Sequence, residues 1–73
     1  MKSIEQLRQE FDGGDVYTLE QFCHEVDEGY IIDYDGVGYF HDGENRTDVS
    51  VWDDTLDPEY VWSHYHYVIW YNR

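Results

Sequence analysis

Apolar positions in the first third of the chain follow a helical period. Ile4, Leu7 and Phe11 recur at i, i+3 and i+7, and Ser3 with Gln6 has the spacing of a capping box, which predicts a short helix over 3–11. Gly13-Gly14 stops it. Thr18 with Gln21 repeats the box ahead of Leu19, Phe22, Cys23 and Val26, so a second helix is predicted over 18–28, with Gly29 as the left-handed residue that closes it. On this helix Cys23 falls on the apolar stripe and reads as a small buried hydrophobe, while His24 reads as exposed.

From Tyr30 onward the period changes to two. Tyr30, Ile32 and Tyr34 share a face, and Asp35-Gly36 is a dipeptide favoured in two-residue hairpin turns, so the pattern predicts a hairpin from 30–34 to 37–41. After the polar turn 42–46, Thr47, Val49 and Val51 alternate with Asp48, Ser50 and Trp52 and predict a third strand. A charged connection, 53–58, leads to a stretch rich in Tyr, Trp, Val and Ile. Propensity favours a fourth strand over 63–71, although 58–62 also suits the first turn of a helix. The expected architecture is α+β, two short N-terminal helices packed on a four-stranded antiparallel sheet. The helices would cover one sheet face and leave aromatic side chains on the other.

Length and charge narrow the function classes. A chain of 73 residues is one domain, 1–73, close to the size at which a single core is barely sufficient. Its composition, 41% apolar and 19% aromatic, is that of a folding chain and not of an acidic disordered tail. Seventeen Asp and Glu against four Lys and Arg give a formal net charge of −13, which opposes binding to phosphate backbones and to anionic membranes. A lone cysteine allows no intramolecular disulfide, and MKSIEQLRQEF has no apolar run of signal-peptide length, so the chain reads as cytoplasmic and as starting at its own first residue.

Candidate catalytic groupings are thin. On a strand His64 and His66 would share a face, and with His41 they would suit zinc, the least favoured reading, a metalloenzyme. Asp33, Asp35 and Gly36 carry part of a calcium loop but lack its remaining ligands, and Asp53, Asp54 and Asp57 suit turns and helix caps better than a cation. Cys23 beside His24 and Ser63 beside His64 point apart and make no nucleophile pair. Asp35-Gly36-Val37-Gly38 has no following helix or lysine to cradle phosphate. The reading is therefore no enzyme, no cofactor and no metal.

What remains is the charge itself. The acidic residues Asp33, Asp35, Asp42, Glu44, Asp48, Asp53, Asp54, Asp57 and Glu59 are expected to converge on a rim at the strand ends and to contact a partner. Duplex DNA carries a charge every ~1.7 Å, so thirteen charges match about 22 Å of helix, comparable with the roughly 30 Å diameter of a compact chain of this length. Solubility alone needs a net charge of only about 2–8 in a small domain.

In size, charge and aromatic content the chain resembles the small acidic inhibitors carried by phages and mobile elements, among them anti-CRISPR proteins and other DNA mimics. The resemblance implies a noncatalytic protein that blocks the basic nucleic-acid-binding cleft of a CRISPR effector, restriction enzyme or repair enzyme in the host cytoplasm. It carries no functional residue over to a position here. The alternative is an antitoxin-like or phage structural accessory protein, a homodimer or larger oligomer built on an aromatic sheet face.

Overall fold

Each helix starts where a side chain can pair amide protons that the first turn leaves free. The structure, a computed structural model, describes residues 1–73. In α1 (Ile4–Glu10) the Ser3 hydroxyl accepts the Gln6 N–H at 3.2 Å while Gln6 Oε1 accepts the Ser3 N–H at 2.8 Å. Thr18 and Gln21 form the same reciprocal pair at the head of α2 (Leu19–Asp27), with distances of 3.1 and 3.3 Å. Gly29 follows α2 at φ 81°, the left-handed closure its position predicts.

Between these helices lies β1 (Asp15–Thr18), which the sequence pattern does not announce. Then come β2 (Gly36–His41), β3 (Arg46–Ser50), α3 (Pro58–His64) and β4 (Tyr67–Asn72). The result is α+β, three helices and a four-stranded antiparallel sheet in the order β1-β4-β2-β3. The last strand in sequence thus lies inside the sheet, paired on both sides.

Three expectations are corrected. Residues 30–34 form no strand: Asp33–Asp35 is a single 3-10 turn, and β2 pairs with β3 and β4. Gly36 is not a turn residue but opens β2 in extended backbone, with φ 178°. Its lack of a side chain serves packing, because a Cβ there would come within 2.6 Å of the Trp70 indole. Gly38, paired with Trp70, makes room in the same way. Secondly, the predicted fourth strand begins late. Asp57 caps the amide of Glu59 at 3.1 Å and Pro58 occupies the first turn, where its missing N–H costs nothing, so 58–64 is helical and only 67–72 is strand.

Thirdly, the helices do not share a face. On one side Leu7 of α1 packs with Val16 and Ile69, and Tyr67 and Tyr71 close around them. On the other, Leu19 and Phe22 of α2, Val61 of α3, Ile31, Phe40, Val68 and Trp70 form the larger core. The alternation along β4 explains the division: Val68 and Trp70 face one layer, Ile69 the other. Leu7 is 0% exposed, so α1 is held by a side chain whose burial is worth about 1.5–3 kcal/mol. In the larger core the Phe22 ring lies 5.9 Å from Trp70 and 6.0 Å from Trp52, and Phe40 stacks on Tyr65 at 5.0 Å. Nine of the fourteen aromatic side chains are thus divided between two cores rather than displayed on one open face.

Candidate partner-binding surface

The nine carboxylates singled out in the sequence are all exposed. Strand register places them. Asp33 and Asp35 precede β2, and Asp53 and Asp54 follow β3. Since Ser50 pairs with Tyr39 and the Val51 N–H bonds to the Gly38 carbonyl, these four flank the same end of the sheet. Asp57 and Glu59 continue from there into the first turn of α3. Asp42 and Glu44 lie in the β2–β3 turn at the opposite end, roughly 17 Å away over the five residue steps of β2. The blocks therefore form two groups rather than one rim, and Asp48 stands between them on the outer strand.

Asp48 projects because β3 is bulged. Tyr39↔Ser50 and His41↔Arg46 differ by two residues in register, and the Thr47 hydroxyl donates to the Phe40 carbonyl at 3.2 Å, replacing a ladder bond. A bulge and an exposed carboxylate on an outer strand discourage pairing with another sheet. The Arg46 guanidinium lies 4.5 Å from the Tyr39 ring centroid and 3.5 Å from Asp48.

Local hydrogen bonds hold several of these carboxylates ionised. Asp42 Oδ1 accepts the N–H groups of Asn45 at 2.7 Å and Glu44 at 2.8 Å, which lowers its pKa, Asn45 more than Glu44. Asp53 is lowered by the Thr55 hydroxyl at 2.6 Å and by its N–H at 2.9 Å. The N-terminal ammonium, 2.9 Å from Glu44, lowers that group. Asp42, Asp53 and Asp57 thus also serve as turn and cap residues.

Three of the four Lys and Arg side chains and the N-terminal ammonium are spent inside the molecule, and Arg73 holds no carboxylate. Lys2 pairs with Glu10, Arg8 with Glu5 and Arg46 with Asp48, and the N-terminus holds Glu44, so thirteen of the seventeen carboxylates have no cation partner. Beside this field stand aromatic side chains that sequence reasoning did not single out. Tyr30 and Tyr34, on the connection before β2, are 72% and 71% exposed, and Tyr60 and Trp62 of α3 are 48% and 54% exposed. The signal for Tyr60 and Trp62 was their position on either side of Val61, which a helical reading of 58–64 would have turned outward.

The histidines do not assemble into a metal site. His64 ends α3 and stacks on Tyr60 at 3.9 Å, His66 lies in the connection to β4, and His41 is buried, so the shared strand face required by the zinc reading does not form. No group of three His, Cys, Asp or Glu side chains is placed to hold an ion. Cys23 is exposed, contrary to expectation, because α2 buries only Leu19 and Phe22 fully and turns the flank of its stripe to water. Partial desolvation, and then Asp27, push its thiol pKa up. His24 is exposed, as expected. No helix is long and apolar enough to cross a membrane.

Compared with protein-family models, with curated proteins and with solved structures, the chain matches none.

Proposed function

We propose that this chain is a noncatalytic inhibitor, of the kind phages and mobile elements carry against CRISPR effectors, restriction enzymes and repair enzymes. It occupies the basic nucleic-acid-binding cleft of such a protein in the host cytoplasm and excludes the nucleic acid. The observation that carries the reading is the excess of thirteen exposed or half-buried carboxylates without a cation partner inside the molecule. Lys and Arg side chains that would otherwise hold phosphates can pair with them, and charge complementarity of this kind raises association rates and excludes wrong partners. The exposed aromatics Tyr30, Tyr34, Tyr60 and Trp62 supply the apolar burial from which hot spots are built. The fold also suits a stoichiometric blocker in its dimensions: its 26 × 26 × 20 Å extents are close to the length of duplex that carries the same charge, about 22 Å.

The test is displacement. Purified chain added to a basic effector bound to labelled DNA should release the DNA at one-to-one stoichiometry, with an effect that falls as salt rises, and should not itself shift labelled DNA or RNA. A mobility shift by the chain alone, or a host lysate that yields no nucleic-acid-handling protein to the immobilised chain at low salt, would overturn the proposal.

A further inference from the structure

Three Asp-Gly dipeptides occur in the chain: Asp12-Gly13, Asp35-Gly36 and Asp42-Gly43. An Asp-Gly sequence is prone to rearrangement, because a glycine carries no side chain to hinder its amide nitrogen as it approaches the preceding carboxyl carbon. In sequence the three are equivalent, but the fold separates them.

Two are locked. The Asp35 carbonyl accepts the Arg73 N–H at 2.8 Å, which pins the peptide group joining Asp35 to Gly36, and Gly36 is buried in extended backbone beneath the Trp70 indole. The Gly43 N–H, the nitrogen that would have to attack, is donated to His41 Nδ1 at 2.9 Å. Asp42 Oδ1 is meanwhile turned to the amides of Glu44 and Asn45. Rearrangement at either place requires these bonds to open first.

Asp12-Gly13 is held by none of these devices. Both residues are exposed in the turn after α1, and no cation pairs with the Asp12 carboxylate. The Gly13 N–H makes no backbone hydrogen bond, and the space around Gly13 is empty to 4 Å. Here the nitrogen and the carboxyl carbon can meet without disturbing the fold.

We propose that Asp12-Gly13 is a covalent modification site, at which aspartate converts to isoaspartate and becomes a substrate for an S-adenosylmethionine-dependent isoaspartyl methyltransferase. The Gly13 nitrogen bonds to Cγ of the neutral Asp12 carboxyl group, the N–H proton and the carboxyl hydroxyl leave as water, and a cyclic succinimide forms. Water then opens the ring. Addition at the Asp12 α-carbonyl carbon leaves the chain running through Cγ, whereas addition at Cγ restores aspartate. Nothing is oxidised or reduced, and mass and net charge return to their starting values. The freed α-carboxylate takes the methyl group from the sulfonium of the donor, leaving S-adenosylhomocysteine.

The rearranged backbone is longer by one methylene, which α1 has to absorb. The Gly14 N–H closes the turn on the Phe11 carbonyl at 3.0 Å, and Gly14 lies so close to the sheet that a Cβ would come within 2.8 Å of the Trp70 carbonyl oxygen. β1 is fixed in register with β4 directly after it. The strain therefore falls on α1, whose hold on the sheet is the buried Leu7.

The experiment is ageing of the intact folded protein at mildly acidic pH, followed by methylation with purified isoaspartyl methyltransferase and labelled S-adenosylmethionine. Chymotryptic peptides then separate the three dipeptides for mass spectrometry. Label should accumulate at Asp12 at least about tenfold faster than at Asp35 or Asp42, since these two need a local opening. In denaturant all three should react at similar rates. Asp12→Glu should abolish the folded-state label and Gly13→Ala should slow it, while circular dichroism shows both variants folded. Amide exchange in the isomerised fraction should be faster over α1 than in the unmodified chain. Equal labelling of the three sites in the folded protein, preference for Asp35 or Asp42, or label that persists in Asp12→Glu would overturn the site. Unchanged exchange over α1 would overturn its structural consequence.

Discussion

The imidazole of His41, 1% exposed, accepts the N–H of Gly43 on Nδ1 at 2.9 Å, which fixes the ring as the neutral tautomer with its proton on Nε2. Nε2 has no hydrogen-bond partner, and the rings of Phe11 and Tyr67 lie edge-on at 5.8 and 6.4 Å. Protonation would set a donor against a donor at Nδ1 and bury a charge. Burial lowers the His41 pKa from the usual 6.5. Asp42, Glu10 and Glu44 oppose that shift, and Lys2 adds to it.

It follows that the unfolded chain binds more protons than the folded one below about pH 6.5, and stability is lost as pH falls from there toward the folded pKa. Denaturant titrations between about pH 7 and pH 5 should show a slope of up to ~1.4 kcal/mol per pH unit. His41→Gln should be less stable at neutral pH but flatter across this window. An unchanged slope in the variant would place the titration on another group.

Gly36→Ala should destabilise the fold by about 1–3 kcal/mol or more, because its Cβ would meet the Trp70 indole at 2.6 Å and the Tyr71 carbonyl oxygen, neither free to move within the sheet. Gly13→Ala meets nothing within 4 Å and has no positive φ, so it should stabilise by about 0.4–1 kcal/mol through the unfolded state. Thermal melts of the two variants give the comparison directly.

Reversing charge at Asp33 with Asp35, or at Asp53 with Asp54, should weaken binding to a nucleic-acid-handling target by about 2–5 kcal/mol if these groups are desolvated on contact. Asp12 with Glu28 is the matched control, since both are exposed and unpaired, whereas Glu5 and Glu10 hold Arg8 and Lys2. Equal losses from all pairs, measured by titration calorimetry, would show a long-range field rather than local contact.

Cys23 should be alkylated in the native protein without unfolding, and more slowly than a simple thiol at the same pH, because desolvation and Asp27 keep it protonated. Cys23→Ser should change stability by no more than about 0.5 kcal/mol, as expected of an exposed position. Protection that disappears only in denaturant would return Cys23 to the core.

The two N-terminal helices, their caps and the closing Gly29 are legible in the sequence because capping boxes and helical stripes act within a few residues. The α+β class and the exposure of the acidic groups follow from periodicity and charge for the same reason. What lies between and after the helices is not local. Four residues at β1 form a strand only because β4, fifty residues later, offers an edge. Asp35-Gly36 has the chemistry of a hairpin turn, yet the Trp70 indole claims the space over Gly36 and Gly38, and the chain runs straight. The stretch 58–64 has strand-like aromatics but a stronger helix start in Asp57-Pro58, and the late beginning of β4 then separates His64 from His66. The sequence alone determined that the molecule is acidic, aromatic and helical at its start. Only the tertiary structure decided that α1 and α2 lie on opposite faces, since a β-strand buried on both sides shows no single stripe, and that β1 stands at the sheet edge beside the last strand, since strand order depends on contacts far apart in the chain.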